Sequence, residues 1–302
     1  MSRRHLTFRQ LETFVTVAKL GSFSRAAETL HLTQPAVSIQ IRQISEIVGL
    51  PLFEQSGRDI RLTAAGQELL QTARELDDSW NRFKSAVDDL KGLKKGRLRV
   101  ALVTTAKYFL PRMLGTFCQR YPEIDIELEV ANRARIIERL RANEDDLYIM
   151  SFPPEEIDVV ATPFLDNPLV VVAPADYPLP AGRLSLADLA DHPFLLRETG
   201  SGTRKAIDRH LAQHGLSLKV KLALGSNEAI RDLVATGMGL TILSRHVLGD
   251  HPEQDGLRIL DIAGFPLQQP WSVVHLRQKI LSLPAHAFMD ELRSATRSAR
   301  QP

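Results

Sequence analysis

The segment Arg197-Glu198-Thr199-Gly200-Ser201-Gly202-Thr203-Arg204 gathers groups that an anion needs. Its two glycines let the backbone approach a ligand, hydroxyls such as Ser201 and Thr203 donate, and Arg204 brings charge to the start of a helix expected over 203–214. A carboxylate or phosphate suits that set. The alternative is a self-capped helix with solvated basic side chains. The GxxxxGK[ST] spacing of a nucleoside-triphosphate loop is missing. Ligands of open α/β sheets sit beyond the carboxyl ends of strands, where helix N-termini point. That rule adds Thr104, Thr105, Lys107 and Tyr108 after one predicted strand, Asn132 and Arg133 after the next, and Ser226, Asn227 and Glu228 after a strand near 220–224.

A second constellation lies near the N-terminus. Thr7 and Gln10 have capping-box spacing, and Leu11, Phe14, Val15 and Ala18 follow at helical spacing. Gly21-Ser22 breaks that helix, and 24–30 gives a second one. Thr33 is a good N-cap, and Pro35 fits the first turn of a third helix over about 35–48. Val37, Ile41, Ile44 and Val48 share one face of it; Gln34, Ser38, Gln40, Arg42 and Gln43 share the other. Gln and Arg read adenine and guanine edges bidentately in a major groove. Short helix, tight corner and polar-faced helix make the helix-turn-helix pattern. Gln34, Pro35, Ala36, Ser38 and Arg42 are the expected base contacts or points of close approach. A small hairpin around Ser56-Gly57-Arg58 places Arg58 and Arg61 for phosphates. A three-helix protein-binding module is the alternative. Residues 1–63 carry eight Lys/Arg against five Asp/Glu, a mild excess in favour of DNA.

Between these constellations, Leu69, Ala73, Leu76, Trp80, Phe83, Val87 and Leu90 are spaced alternately by four and three. A mean period of 3.5 is that of a left-handed coiled coil. A helix over 64–90 would span roughly 40 Å, and seam residues as large as Trp80 and Phe83 call for a partner helix. The alternative partner is the chain's own C-terminal region.

From Gly96 onward, apolar strands alternate with helical patterns. Strands are expected at Leu98-Val100-Leu102, Ile124 to Val130, Leu147 to Met150, and near 169–173, 194–197, 220–224, 240–243, 257–260 and 271–275; a final helix is expected over 285–298. Alternation of this kind argues for a parallel α/β sheet, here in two units. Gly237-Met238-Gly239 ends a helix and permits close packing. Leu110, Met113, Leu114, Phe117, Cys118 and Tyr121 mark one helical face, which makes Cys118 a buried packing residue.

The chain has 302 residues, 44% of them apolar, a net charge of +2 and one cysteine. That length suits two or three domains. No internal disulfide is available, and the longest clean apolar run, 169–175, is far below the ~20 residues of a membrane span. The basic start, Arg3-Arg4, is followed by no apolar signal core, so a soluble cytoplasmic protein is expected. Catalysis has little support: HExxH and GxSxG are absent. His210 and His214 lack an evident third metal ligand, so no catalytic residue, metal or cofactor is expected.

Phe8-Arg9-Gln10-Leu11-Glu12-Thr13-Phe14, Gly21 to Ala27, Leu32-Thr33-Gln34-Pro35-Ala36-Val37-Ser38, Leu52-Phe53-Glu54, Gly57-Arg58 and Leu62 to Gly66 resemble, in order and spacing, the LysR-type transcriptional regulators. Ile39 departs from the basic or small residue common there. The resemblance extends more loosely over the rest of the chain. It implies an α+α/β architecture: a winged helix-turn-helix over 1–63, a dimerising linker helix over 64–92, and an effector domain over 93–302. That domain would be of periplasmic-binding-protein type, with subdomain one at 96–162 plus 267–302 and subdomain two at 163–266. The implied partners are double-stranded promoter DNA, a second copy of the chain in a homodimer or homotetramer, and RNA polymerase. Within the family, Thr104 to Pro111 and Arg197 to Arg204 look most like regulators of Calvin-cycle CO2-fixation operons or their carbon-concentrating relatives. That implies a small anionic effector: a sugar phosphate, phosphoglycolate, phosphoenolpyruvate, a dicarboxylate or NADPH. Other readings are a regulator of another metabolic operon, a solute-binding protein, or an α/β enzyme using the Gly-rich loop.

Overall fold

The computed structural model describes residues 5–56, 59–90, 95–179 and 182–299. The chain forms two compact units, Met1–Phe83 and Lys84–Pro302.

In the first unit the local signals act where the sequence puts them. Thr7 opens α1 (Phe8–Leu20): its hydroxyl accepts from the Gln10 N–H, and the Gln10 side chain accepts from the Thr7 N–H. Gly21, at φ 59°, closes it. Ser22 caps α2 (Phe23–Thr29), and Thr33 caps α3 (Gln34–Val48) with Pro35 in its first turn. Phe14, Val17, Ala26, Ala27, Val37, Ile41 and Ile44 pack into one core. Val48 overshoots that core and stays exposed. β1 (Phe53–Ser56) and β2 (Asp59–Leu62) form an antiparallel wing with Phe53 opposite Leu62. Gly57 and Arg58 lie outside the described residues.

α4 (Ala64–Leu90) follows the wing directly. The Thr63 hydroxyl donates to the Pro51 carbonyl at 2.7 Å and accepts from the Gly66 N–H at 3.1 Å. A Cβ on Gly66 would stand 2.1 Å from the Leu52 carbonyl oxygen. Gly66→Ala is therefore expected to cost about 3 kcal/mol, the upper range for overpacking, read as a lower urea midpoint for the first unit. Along the seam, Leu69 packs on the head core and Ala73 is buried, but Leu76, Trp80 and Phe83 are 42%, 50% and 57% exposed. Trp80 stacks on Phe83 at 5.6 Å and meets Phe8 at 6.2 Å between ring centroids. Thus the start of the seam serves its own head, and the next stretch is an uncovered aromatic strip. The Leu90 side chain is outside the described set.

The second unit holds two groups of sheets. One is a five-stranded sheet in the order β4-β3-β5-β15-β6. Its members are β3 (Gly96–Val103), β4 (Ile124–Ala131), β5 (Leu147–Met150), β6 (Val159–Leu165) and β15 (Trp271–Leu276), with α5 (Leu110–Arg120), α6 (Arg133–Arg141) and α9 (Leu283–Ala299) against it. The other is built on β7 (Pro168–Pro174), the short β8 (Leu184–Ser185), and β9 (Pro193–Arg197), which α7 (Gly202–His214) follows. β10 (Lys219–Leu224), α8 (Asn227–Ala235), β11 (Thr241–Ser244), β12 (Leu257–Leu260), β13 (Ile262–Ala263) and β14 (Leu267–Gln268) complete it. The chain crosses between the groups after β6 and returns before β15.

Three expectations need correction. The sheets are mixed rather than parallel. β3 pairs in parallel with β4 and β5, and β10 with β9, but β15 runs antiparallel to β5 and β6, and β7 is antiparallel to β11, β12 and β14. A chain that leaves one sheet and later re-enters it is not bound to the right-handed parallel crossover. β6 was not foreseen because Pro163 interrupts its apolar run. It is an edge strand, and Pro163 falls where the register shifts at Trp271/Ser272, a position proline tolerates. Cys118 is exposed, not buried. The buried stripe of α5 is Leu110, Leu114 and Phe117, and the next residue is rotated about 100° away from it. Gly239 does permit close packing: a Cβ there would lie 2.3 Å from the Pro193 carbonyl oxygen.

Candidate functional site

The carboxyl ends of β3, β4, β5 and β9 converge on one cavity of about 330 Å³, open to solvent. β3 delivers Val103, Thr104 and Thr105; the turn after β4 delivers Arg133; β5 is followed by Ser151 and Phe152; β9 ends at Arg197; and α7 begins with Ser201, Gly202 and Thr203. Ser201 caps α7, its hydroxyl accepting from the Arg204 N–H at 3.0 Å. The free N–H groups of that first turn favour negative charge. A Cβ on Gly202 would come within 3.1 Å of the Ser151 hydroxyl, so glycine keeps the helix start close to that serine.

The two arginines of the cavity are held differently. Arg133 donates through Nε and one terminal nitrogen to the Phe152 carbonyl, at 3.3 and 2.8 Å. It makes no salt bridge among the described residues; the acid that acts on it, Glu156, is bridged to Arg141 at 3.0 Å. Burial, offset in part by Glu156, pulls the guanidinium down from its ordinary pKa, yet an arginine remains charged. Arg197 is 2% exposed and ion-paired with Glu198 through Nε at 2.8 Å and a terminal nitrogen at 3.0 Å. Its remaining N–H groups reach Asn227 Oδ1 at 2.7 Å and the Thr104 and Thr105 hydroxyl oxygens at 3.3 Å each.

Of the residues nominated from sequence, Thr104, Thr105, Arg133, Arg197, Ser201, Gly202 and Thr203 line the cavity. Glu198 and Asn227 stand behind it, on Arg197. Asn132 caps α6, accepting from the Arg135 N–H at 2.9 Å, and Gly200 turns the loop at φ 95°. Arg204 faces away: its Nε reaches Asp208 at 2.8 Å, and one terminal nitrogen reaches the Arg197 carbonyl at 3.3 Å. Lys107, Tyr108, Ser226 and Glu228 form a separate cluster. Lys107 Nζ meets Glu228 at 2.6 Å and lies 5.4 Å from the Tyr108 ring centroid, and the Ser226 hydroxyl donates to Glu228 at 2.9 Å. Burial alone would raise the Glu228 carboxyl, but Lys107, backbone donors, Tyr108 and Ser226 outweigh it and hold its pKa at about 2. A carboxyl depressed in this way stabilises above its unfolded pKa, near 4.3. That contribution is lost as pH falls through about 2. Glu228→Gln should flatten the fall in the urea midpoint between those two pH values.

Sequence reading missed Val103, Met150, Ser151, Phe152 and Trp271. The carboxyl-end rule, applied to β5, would have found Ser151 and Phe152. Trp271 carried no such signal; it opens β15, and its buried indole N–H has no partner among the described residues.

In the first unit, Gln34, Pro35 and Arg42 are exposed on α3, Ala36 and Ser38 are half-buried, and Gln34 donates to the Ser38 hydroxyl at 3.1 Å. Arg61 is exposed on the wing. Gln40 and Gln43, expected on the reading face, turn towards α1: the Thr13 hydroxyl donates to Gln40 at 2.8 Å and Gln10 to Gln43 at 3.2 Å. Among the described residues no group of three His, Cys, Asp or Glu side chains could hold a metal, and no helix is long and apolar enough to cross a membrane.

Residues 8–67 match the family of bacterial regulatory helix-turn-helix proteins of the lysR family, and residues 91–297 match the LysR substrate binding domain. The chain is 48% identical over 297 residues to the RuBisCO operon transcriptional regulator of Acidithiobacillus ferrooxidans, covering 98% of this chain and 96% of that one. It is 43% identical to the transcriptional activator CmpR of Synechocystis sp., over 96% of this chain and 95% of that one. Among solved structures, the regulatory domain of Synechocystis CcmR in complex with 2-PG is 48% identical, with a TM-score of 0.63, covering 66% of this chain and 97% of that one. Full-length CbnR in complex with target DNA shares the fold at 22% identity and a TM-score of 0.68, over 96% of this chain and 100% of that one. With both lysR-family models matched and relatives 43–48% identical over nearly the full length, the chain belongs to the LysR family of transcriptional regulators.

Proposed function

We propose that this regulator controls genes for CO2 fixation and that its effector is a small phosphorylated carboxylate of the 2-phosphoglycolate type. The observation that carries the effector is Arg133, charged, lining the cavity and without an ion-paired acid among the described residues, beside the open first turn of α7. Spare N–H groups, a helix start and hydroxyls make a site of donors. The similarity to RuBisCO-operon and CmpR regulators supports the target genes.

On the DNA side, Gln34 and Arg42 with Pro35, Ala36 and Ser38 form the reading edge of α3, and Arg58 and Arg61 of the wing grip phosphates. Two heads, joined through the uncovered strip of α4, would read two half-sites on a two-fold axis. Dimers pair into tetramers, and the complex acts on RNA polymerase in the cytoplasm. Effector binding biases one arrangement of the assembly over another, by its differential affinity for the two. The test is operator binding by gel shift. Gln34→Ala should lose about 1–3 kcal/mol at one cognate base pair and keep its response to 2-phosphoglycolate. Unchanged affinity and base preference would refute the assignment of α3.

A further inference from the structure

Arg197 lines the proposed effector site, yet it has nothing left to give an effector. An arginine has five N–H donors. Here they go to both Glu198 carboxylate oxygens, Asn227 Oδ1, Thr104 Oγ1 and Thr105 Oγ1. Glu198 also neutralises its charge.

The consequence falls on Thr105. A hydroxyl has two lone pairs and one proton. Thr105 Oγ1 accepts from Arg197 at 3.3 Å and from Asn227 Nδ2 at 3.3 Å, so both lone pairs are taken. The side chain is 6% exposed and lines the cavity, and no acceptor for its proton is found among the described residues. We infer that Arg197 is a positioning residue and not an effector contact: with Asn227 it fixes the Thr105 hydroxyl as a pure donor aimed into the cavity, which selects an acceptor oxygen of the effector there. An ionised carboxylate or phosphate oxygen accepts that proton. An N–H or O–H presented at that point sets a donor against a donor and leaves one of them unpaired, which is costly in a buried site.

This inference rests on the anion site proposed above, and its test separates the two. Titration calorimetry of the full chain with 2-phosphoglycolate is run on wild type, Thr105→Ser, Thr105→Val, Asn227→Asp, Arg197→Lys and the double variants with Thr105→Val. Thr105→Ser should bind within about threefold of wild type and Thr105→Val about tenfold or more weaker. Asn227→Asp is isosteric and does not line the cavity, but it puts an acceptor where a donor faced Thr105, so the proton turns away from the effector. It should weaken binding as Thr105→Val does and add little in the Thr105→Val background. Arg197→Lys should behave alike. A merely electrostatic effect of the new carboxylate, or a direct Arg197 contact, would multiply with Thr105→Val, because independent losses add in free energy. Multiplied losses therefore overturn the inference, and the Asn227→Asp cycle decides it even if Arg197→Lys fails to fold. Wild type that fails to bind 2-phosphoglycolate overturns the effector reading and this inference together; wild type that binds with multiplying losses overturns this inference alone.

Discussion

Arg133→Ala lowers affinity for 2-phosphoglycolate by two to three orders of magnitude and leaves the operator affinity of effector-free protein unchanged. Two of the five guanidinium donors are spent on the Phe152 carbonyl, which fixes the side chain and leaves the others for a ligand. Charge-assisted hydrogen bonds contribute about 1.5–3 kcal/mol each in net terms. Deletion also leaves the effector's charge in a cavity whose other arginine is already neutralised by Glu198. A total near 3–4 kcal/mol follows, or about 100- to 1,000-fold. Arg133→Lys should fall between, because an ammonium restores charge without the planar fork. Titration calorimetry and gel shift on the same preparations check both halves. Arg204→Ala supplies the contrast. Its side chain is tied to Asp208 and the Arg197 carbonyl, so its loss should cost far less effector affinity than Arg133→Ala.

The pair Trp80→Glu and Phe83→Glu converts the protein to a monomer and weakens operator binding by about 10²–10⁴, the gain that linking two binding modules provides. The two rings stack on each other and remain half exposed or more in the single chain, with Leu76 and Phe8 beside them. A contiguous apolar strip on a long helix marks an association surface. The seam period sets its geometry as helix on helix. Four carboxylates brought together across a two-fold axis would repel. Sedimentation velocity reads the mass, and thermal unfolding should stay close to wild type, since neither side chain is part of the buried head core. A variant that remains dimeric would show that α4 is not the joint.

Much of this architecture is legible in the sequence. Local chemistry fixed α1 and α3: Thr7 and Thr33 cap them where expected, and Pro35 sits where a missing N–H costs nothing, while Ser22, expected to break α1, also caps α2. The carboxyl-end rule gathered most of the cavity, because strand alternation alone places those loops together. What escaped was long-range pairing. No local pattern shows that β15 returns antiparallel beside β5, or that Pro163 meets a register shift. Side-chain direction escaped as well. Lys107 suits an anion site by its charge and Glu228 follows a strand end far away in sequence, yet the two satisfy one another. Gln40 belongs to the polar face of α3 by spacing but is claimed by Thr13 across the helix pair. Arg197 reads as a free cation in sequence, and only its hydrogen bonds reveal that it is spent.

The central claim is that a dimer of this chain reads two half-sites and that a small anion in the effector cavity changes how it does so. A DNase I footprint on the promoter of a CO2-fixation operon, with and without 2-phosphoglycolate, tests it most directly. The account predicts two protected patches separated by whole helical turns, with a spacing or hypersensitive position that shifts on adding the effector and does not shift in Arg133→Ala. A single protected patch, or a footprint that the effector leaves untouched in wild type, would contradict it.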